Sequence, residues 1–246
     1  MSVVWSGWTA PLLSAEAEEA LVAVATNFAP LARELAIGFE ETTDHELRLA
    51  SGSTGKLYAQ IVSGAPFDVF LAADSARPAR LVEEGRARAD SRRTYAKGRL
   101  VLWSADPGWA DTDGAASLRA GDFRKLAMAN PELAPYGSAA REALVSLGVF
   151  EGLRGRLVFG ENVGQAFALV ATGNAELGLV AASQVAVEEG PAGRGWVVPS
   201  SLHAPIRQDG VLLRRAEDNA AALSFLDYLA SDAVRRRIRA AGYEVD

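Results

Sequence analysis

The apolar positions change their spacing repeatedly along the chain, and those changes mark its elements. Leu21-Val22-Ala23-Val24-Ala25 is an unbroken apolar run of strand length, and residues 30–41 then place Leu31, Leu35 and Phe39 at helical spacing. Residues 46–50 predict a second strand and 56–63 a second helix. Phe67-Asp68-Val69-Phe70-Leu71-Ala72 predicts a third strand and 78–84 a third helix. This βαβαβα order predicts an α/β fold with a mostly parallel sheet.

The rhythm then breaks. Residues 94–103 hold one long strand, Arg99-Leu100-Val101-Leu102-Trp103, followed by a loop rich in Asp, Gly and Pro up to Asp122. A second series follows, with strands over 125–129, 156–159 and 177–181 and helices over 138–147 and 164–172. Val211-Leu212-Leu213 reads as a return strand. Helices over 218–229 and 232–241 close the chain, the first offering Leu223, Leu226 and Tyr228 for packing. The expected organisation is two α/β lobes, the first from 21–94 plus 204–246 and the second inserted over 95–203. Two crossing segments form a hinge, and a ligand sits in the cleft between the lobes.

Composition narrows the function classes. With 246 residues, 49% hydrophobic and 23% charged, the chain can bury a globular core. A net charge of −6 argues against a nucleic-acid partner. The one dense basic run, Arg235, Arg236, Arg237 and Arg239, reads as a solvated helix end whose cations suit the dipole. The absence of cysteine excludes thiol catalysis, disulfides and thiolate metal sites. The two histidines, His45 and His203, are far apart, each expected on the surface or in a loop, so no His-based metal site, resident metal or cofactor is expected. At the N-terminus residues 2–13 are moderately apolar and Ala15-Glu16-Ala17 has the form of a cleavage site, yet no Lys or Arg precedes them. Residues 1–20 are read as a signal remnant or a disordered tail. No other stretch has the length and apolarity of a membrane span.

Four turns share one design, in which a strand ends, a short polar or glycine-bearing turn follows and a helix begins. They are Ala25-Thr26-Asn27-Phe28, Ser51-Gly52-Ser53-Thr54-Gly55, the stretch from Asn130-Pro131 through Ala134-Pro135-Tyr136-Gly137-Ser138, and Glu161-Asn162-Val163-Gly164-Gln165. Each puts unpaired backbone N–H groups at a helix start, where an anion is favoured. A helix N-terminus is equivalent to roughly half a positive charge, so four facing one cleft suit a dianion without any Lys or Arg. Taken singly, Ser, Thr, Asn and Gly are the preferred capping residues. Two such turns fall in each expected lobe, as a cleft gripping one ligand requires.

The wording of these turns is more specific. Ala25-Thr-Asn-Phe28 resembles the first ligand loop of the molybdate-binding periplasmic proteins of ABC transporters. So does Ser51-Gly-Ser-Thr-Gly-Lys-Leu-Tyr-Ala-Gln-Ile-Val-Ser-Gly-Ala-Pro-Phe-Asp-Val-Phe-Leu-Ala-Ala-Asp74. The likeness continues through residues 95–104, Asn130-Pro131, Ala134-Pro-Tyr-Gly137 and Glu161-Asn-Val-Gly-Gln165 to Tyr243, and so covers the chain from about Leu21 onward. It implies a two-lobed type II periplasmic binding fold that closes over molybdate or tungstate and delivers it to an ABC permease, as an extracytoplasmic monomer. Carried over by motif, the ligand shell is Thr26, Asn27, Ser53 or Thr54, and the backbone N–H groups of Tyr136 and Val163. A tyrosine that some members use near residue 180 is missing, because this chain reads Gly178-Leu-Val-Ala-Ala-Ser183.

A fully deprotonated oxyanion offers only acceptors, so a pocket of donors suits it. Monohydrogen phosphate would need an acceptor for its proton, and the acidic residues nearest these motifs, Glu161 and Asp68, are read as structural. A sulfate- or thiosulfate-type protein is the nearest alternative and would differ in cavity size. An enzyme on a similar fold lacks a clustered nucleophile, base or metal here. A cytosolic ligand-sensing regulator would need a helix-turn-helix segment for which the two lobes leave no room.

Overall fold

The computed structural model describes residues 17–106, 109, 113–187 and 195–245. The cleavage-site reading at residues 15–17 therefore lies almost wholly outside the described residues.

The described residues form two five-stranded sheets. The first contains β1 (Glu19–Ala25), β2 (Glu46–Gly52), β3 (Val69–Leu71), β4 (Arg93–Gly98) and β10 (Ile206–Leu212), in the order β2-β1-β3-β10-β4. The second contains β5 (Leu100–Trp103), β6 (Leu126–Ala129), β7 (Leu157–Gly160), β8 (Leu177–Ala181) and β9 (Gly195–Val197), in the order β7-β6-β8-β5-β9. Each sheet has three adjacent parallel strands and then two antiparallel joins, so the sheets are mixed rather than mostly parallel. The antiparallel strands are the ones that carry the chain into and out of the second sheet, which a local sequence pattern does not record.

Alternation along the first sheet sends successive side chains to opposite faces. Val22 and Val24 pack with α1 (Ala29–Glu40), α9 (Ala220–Ala230) and α10 (Asp232–Ala240). Ala23 and Phe70 pack on the other face with α2 (Thr54–Val62) and α3 (Ala76–Glu83). On α1 the residues Leu31, Leu35 and Phe39 are all buried, as their spacing requires. Burying each such side chain contributes about 1.5–3 kcal/mol. A separate core surrounds the second sheet and includes Leu126, Met128 and Leu179, with Ala139, Ala143 and Leu144 from α5 (Pro135–Ser146) and Val170 from α7 (Val163–Ala171).

The expected long strand over 94–103 is two strands in two sheets. β4 pairs with β10 through Gly98, and β5 begins at Leu100 beside β8, so Tyr95 stays in the first sheet and the crossing falls at Arg99. A Cβ on Gly98 would lie 2.1 Å from the Tyr136 hydroxyl, so only glycine fits where the chain leaves the sheet. The segment read as loop before Asp122 contains α4 (Gly114–Ala120), capped by Asp113, whose carboxylate accepts from the Ala116 N–H at 3.1 Å. The short α6 (Phe150–Leu153) and α8 (Ala182–Val187), like β9, have no sequence pattern of their own. His45 lies in the loop before β2 but is buried, its ring stacked on Phe39 with its Nδ1 accepting from the Glu18 N–H. The arginines of α10 lie on its solvent side, with Val234 and Ile238 buried beneath.

Candidate functional site

The parallel strands β1 and β2 of one sheet and β6 and β7 of the other end at Ala25, Gly52, Ala129 and Gly160, and helices α1, α2, α5 and α7 begin just beyond them. Ligands in open α/β sheets bind beyond these carboxyl ends. Here the two sheets turn them toward each other. Thr26, Asn27, Ser53, Thr54, Tyr136 and Val163 all line one small cavity, together with Asn162 and Pro135. Its volume of about 10 Å³ is at the lower limit for a single water-sized group, so a tetrahedral oxyanion with four oxygens enters only if the walls move apart. That volume is far below the roughly 300 Å³ and more of pockets for drug-sized ligands.

Backbone donors dominate its wall. Among the described residues, none accepts the backbone N–H of Asn27, Ser53, Thr54, Tyr136 or Val163. Asn27, Ser53, Thr54, Tyr136 and Val163 are nevertheless between 1% and 3% exposed. A buried donor left without a partner costs about 1–3 kcal/mol, and such groups are rare. Five around one cavity therefore point to an acceptor-rich ligand. α5 begins at Pro135 with no side-chain cap, which leaves the Tyr136 N–H available at its first turn. The N–H of Thr26 is taken by the Gly52 carbonyl at 3.1 Å, so Thr26 offers only its hydroxyl.

Ser53 and Thr54 are each half committed. The Ser53 Oγ accepts from the Lys56 N–H at 3.4 Å and the Thr54 Oγ1 from the Ala73 N–H at 3.0 Å, so both hydroxyl protons remain to donate. The Asn162 Oδ1 caps α7 by accepting from the Gln165 N–H at 2.9 Å.

The Asn27 side chain differs from the expected amide ligand. Its Nδ2 donates to the Gln208 Oε1 at 2.9 Å and to the Tyr243 hydroxyl at 3.1 Å, so both amide hydrogens are used within the protein. What Asn27 has left to donate is its backbone N–H. The Tyr136 hydroxyl likewise turns away from the cavity, accepting from the Gln208 Nε2 at 3.3 Å. Burial pushes the phenols of Tyr95, Tyr136 and Tyr243 well above their ordinary range, and each stays a neutral hydroxyl.

Two contacts close the rim. The Gly55 N–H donates to the Leu133 carbonyl at 2.9 Å, and Lys56 Nζ meets Glu161 Oε2 at 2.6 Å. Asp68 lies elsewhere, accepting from the Leu21 N–H at 2.7 Å and pairing with Arg215. Among the described residues no carboxylate lines the cavity. Among the described residues no three His, Cys, Asp or Glu side chains cluster to hold a metal ion, and no helix is long and apolar enough to cross a membrane.

Sequence reasoning did not place Gln208, Tyr243 or Gly98 at the site; Gly98 and Tyr243 fall in stretches of the family likeness, but all three meet the site only through packing. Asn162 was quoted within its turn but not placed in the ligand shell, although its capping position gave the signal.

Residues 20–244 match the family described as bacterial extracellular solute-binding protein. The chain is 48% identical over 232 residues to the molybdate-binding protein ModA of Azotobacter vinelandii, covering 94% of this chain and 91% of that protein. It is 47% identical over 231 residues to ModA of Rhodobacter capsulatus, covering 94% and 90%. The solved periplasmic molybdate-binding protein of Azotobacter vinelandii superposes with a TM-score of 0.86 at 38% identity, over 94% of this chain and all of that one.

Proposed function

Because the chain belongs to the bacterial extracellular solute-binding protein family, we propose that it is the molybdate-binding component of an ABC importer. In this reading it captures the tetrahedral dianion outside the cytoplasm and hands it as a monomer to a permease. Tungstate, close in size and equal in charge, enters the same site. The relatives at 47–48% identity support molybdate over the sulfate reading, and they support a carrier rather than an enzyme.

The observation that carries the assignment is the set of five buried, unpaired backbone N–H groups around a cavity without a carboxylate. Such a wall can satisfy an ion that only accepts hydrogen bonds. Each charge-assisted bond contributes about 1.5–3 kcal/mol, offset by desolvation and ordering. Monohydrogen phosphate would bring a proton for which the described wall holds no carboxylate, only hydroxyl and amide oxygens, three of which already accept a backbone N–H. In the proposed shell Thr26 donates its hydroxyl, Ser53 and Thr54 donate hydroxyls and backbone N–H groups, and Asn27, Tyr136 and Val163 donate backbone N–H groups.

A ligand that binds only the folded state raises its melting temperature by mass action. Molybdate and tungstate should each stabilise the anion-stripped protein strongly, with sulfate weaker and phosphate without effect. Equal stabilisation by phosphate would contradict the assignment.

A further inference from the structure

Gln208 is fully buried on β10, at the point where its pairing with β4 shifts register. Its Oε1 accepts from the Asn27 Nδ2 at 2.9 Å and from the Tyr95 hydroxyl at 3.1 Å, and its Nε2 donates to the Tyr136 hydroxyl at 3.3 Å. Asn27 follows β1 of the first sheet, whereas Tyr136 opens a helix packed on the second. Both carry one of the unpaired N–H groups of the cavity, but Gln208 itself does not line it.

We propose that Gln208 is a positioning residue, a bracket that fixes the Asn27 and Tyr136 backbones from the two halves of the molecule at the spacing one oxyanion requires. The inference rests on the oxyanion reading of the cavity. The surroundings are shaped for this bracket. Gly98 leaves open the space the Tyr136 hydroxyl occupies, and a Cβ there would also lie 2.8 Å from Gln208 Nε2. The Asn27 carbonyl is held in turn by the Tyr243 hydroxyl at 2.7 Å and the Ser183 Oγ at 3.3 Å. Every polar atom of the Gln208 side chain thus ends on a residue of the site or on Tyr95 beside it. A glutamine kept merely to satisfy the core would have no reason to join these two turns. Buried polar networks of this kind fix geometry because breaking one bond strands its partners.

Gln208→Met keeps the length and removes the three bonds. Titrated with sodium molybdate beside the unaltered protein, it should bind about tenfold more weakly, as expected for stranding buried partners. In backbone amide NMR spectra, the signals of Asn27 and Tyr136 should lose most of their molybdate-induced displacement while that of Val163 keeps its own. Unchanged affinity, or an equal loss of response at all three amides, overturns the proposal. If Gln208→Met does not fold, Tyr136→Phe decides, since it removes the hydroxyl and leaves the backbone N–H in place. It should bind about threefold more weakly, and unchanged affinity overturns the bracket. An unaltered protein that ignores molybdate overturns the oxyanion reading and this inference with it. Binding by the unaltered protein with unaffected variants overturns this inference alone.

Discussion

Lys56, in the first turn of α2, and Glu161, in the turn before α7, meet at 2.6 Å across the rim of the cavity. Each belongs to a different sheet's set of helices, so the pair can exist only while the two halves are together. Its neighbours in sequence, Thr54 and Asn162, line the cavity itself. The pair also neutralises a carboxylate that would otherwise stand beside a bound anion. Both side chains are about half exposed, 47% and 54%, so the contribution is at most about 1 kcal/mol. Lys56→Met should therefore speed molybdate release about two- to fivefold, read by stopped-flow displacement. The exchanged pair Lys56→Glu with Glu161→Lys should recover the slow release, and raising the salt concentration should shrink the difference.

Gly55 tests closure differently. A Cβ at this position would lie 2.8 Å from the Leu133 carbonyl oxygen, a backbone atom of the other half. Alanine also favours helix over glycine by about 0.5–1 kcal/mol. Gly55→Ala forces this contact apart, so it should lower the ligand-free melting temperature despite the helix gain and weaken molybdate binding about tenfold. Reduced stability with intact affinity would show that this contact does not limit closure.

Asn27→Ala removes a carboxamide that Gln208 and Tyr243 both use. The expected cost is about 1–3 kcal/mol of folding stability from the stranded buried partners. Affinity should fall as well, because the turn that carries the Asn27 N–H loses its anchor. Denaturant unfolding and anion titration on the same sample separate the two effects.

Among the described residues that line the cavity Tyr136 alone carries an ionisable group, and burial pushes that phenol, which points away from the cavity, well up. Molybdate affinity should be flat from about pH 6 to about pH 9. Stability behaves otherwise at high pH. Tyr95, Tyr136 and Tyr243 have folded values raised by burial, whereas an unfolded tyrosine ionises near pH 10. Their contribution is full below about pH 10 and is lost as pH rises through the folded values. Absorbance titration should show these three phenols ionising only as the protein unfolds.

Much of this architecture was legible because parallel strands buried on both faces read as apolar runs, as Leu21–Ala25 and Val69–Ala72 do. The four turns were legible because each joins such a run to a patterned helix, and all six residues named from them meet at one cavity. What was hidden depends on distant partners. The break at Gly98 is set by the Tyr136 hydroxyl, and the orientation of the Asn27 amide by Gln208 and Tyr243. A periodicity cannot report a contact between residues so far apart in the chain. Helix α4 escaped because it is only seven residues long, with Leu118 its one large apolar side chain, and its capping Asp113 sits among other loop-forming residues.

The central claim is that the cavity, rich in backbone and hydroxyl donors, is a site for a tetrahedral dianion. Calorimetric titration of the anion-stripped protein with molybdate, tungstate, sulfate and phosphate tests it most directly. Tight one-to-one binding of molybdate and tungstate, weak binding of sulfate and silence with phosphate is the predicted result. Silence with all four would mean that the four helix starts are capped turns and no more, and phosphate binding as tight as molybdate would contradict the preference for a fully deprotonated anion.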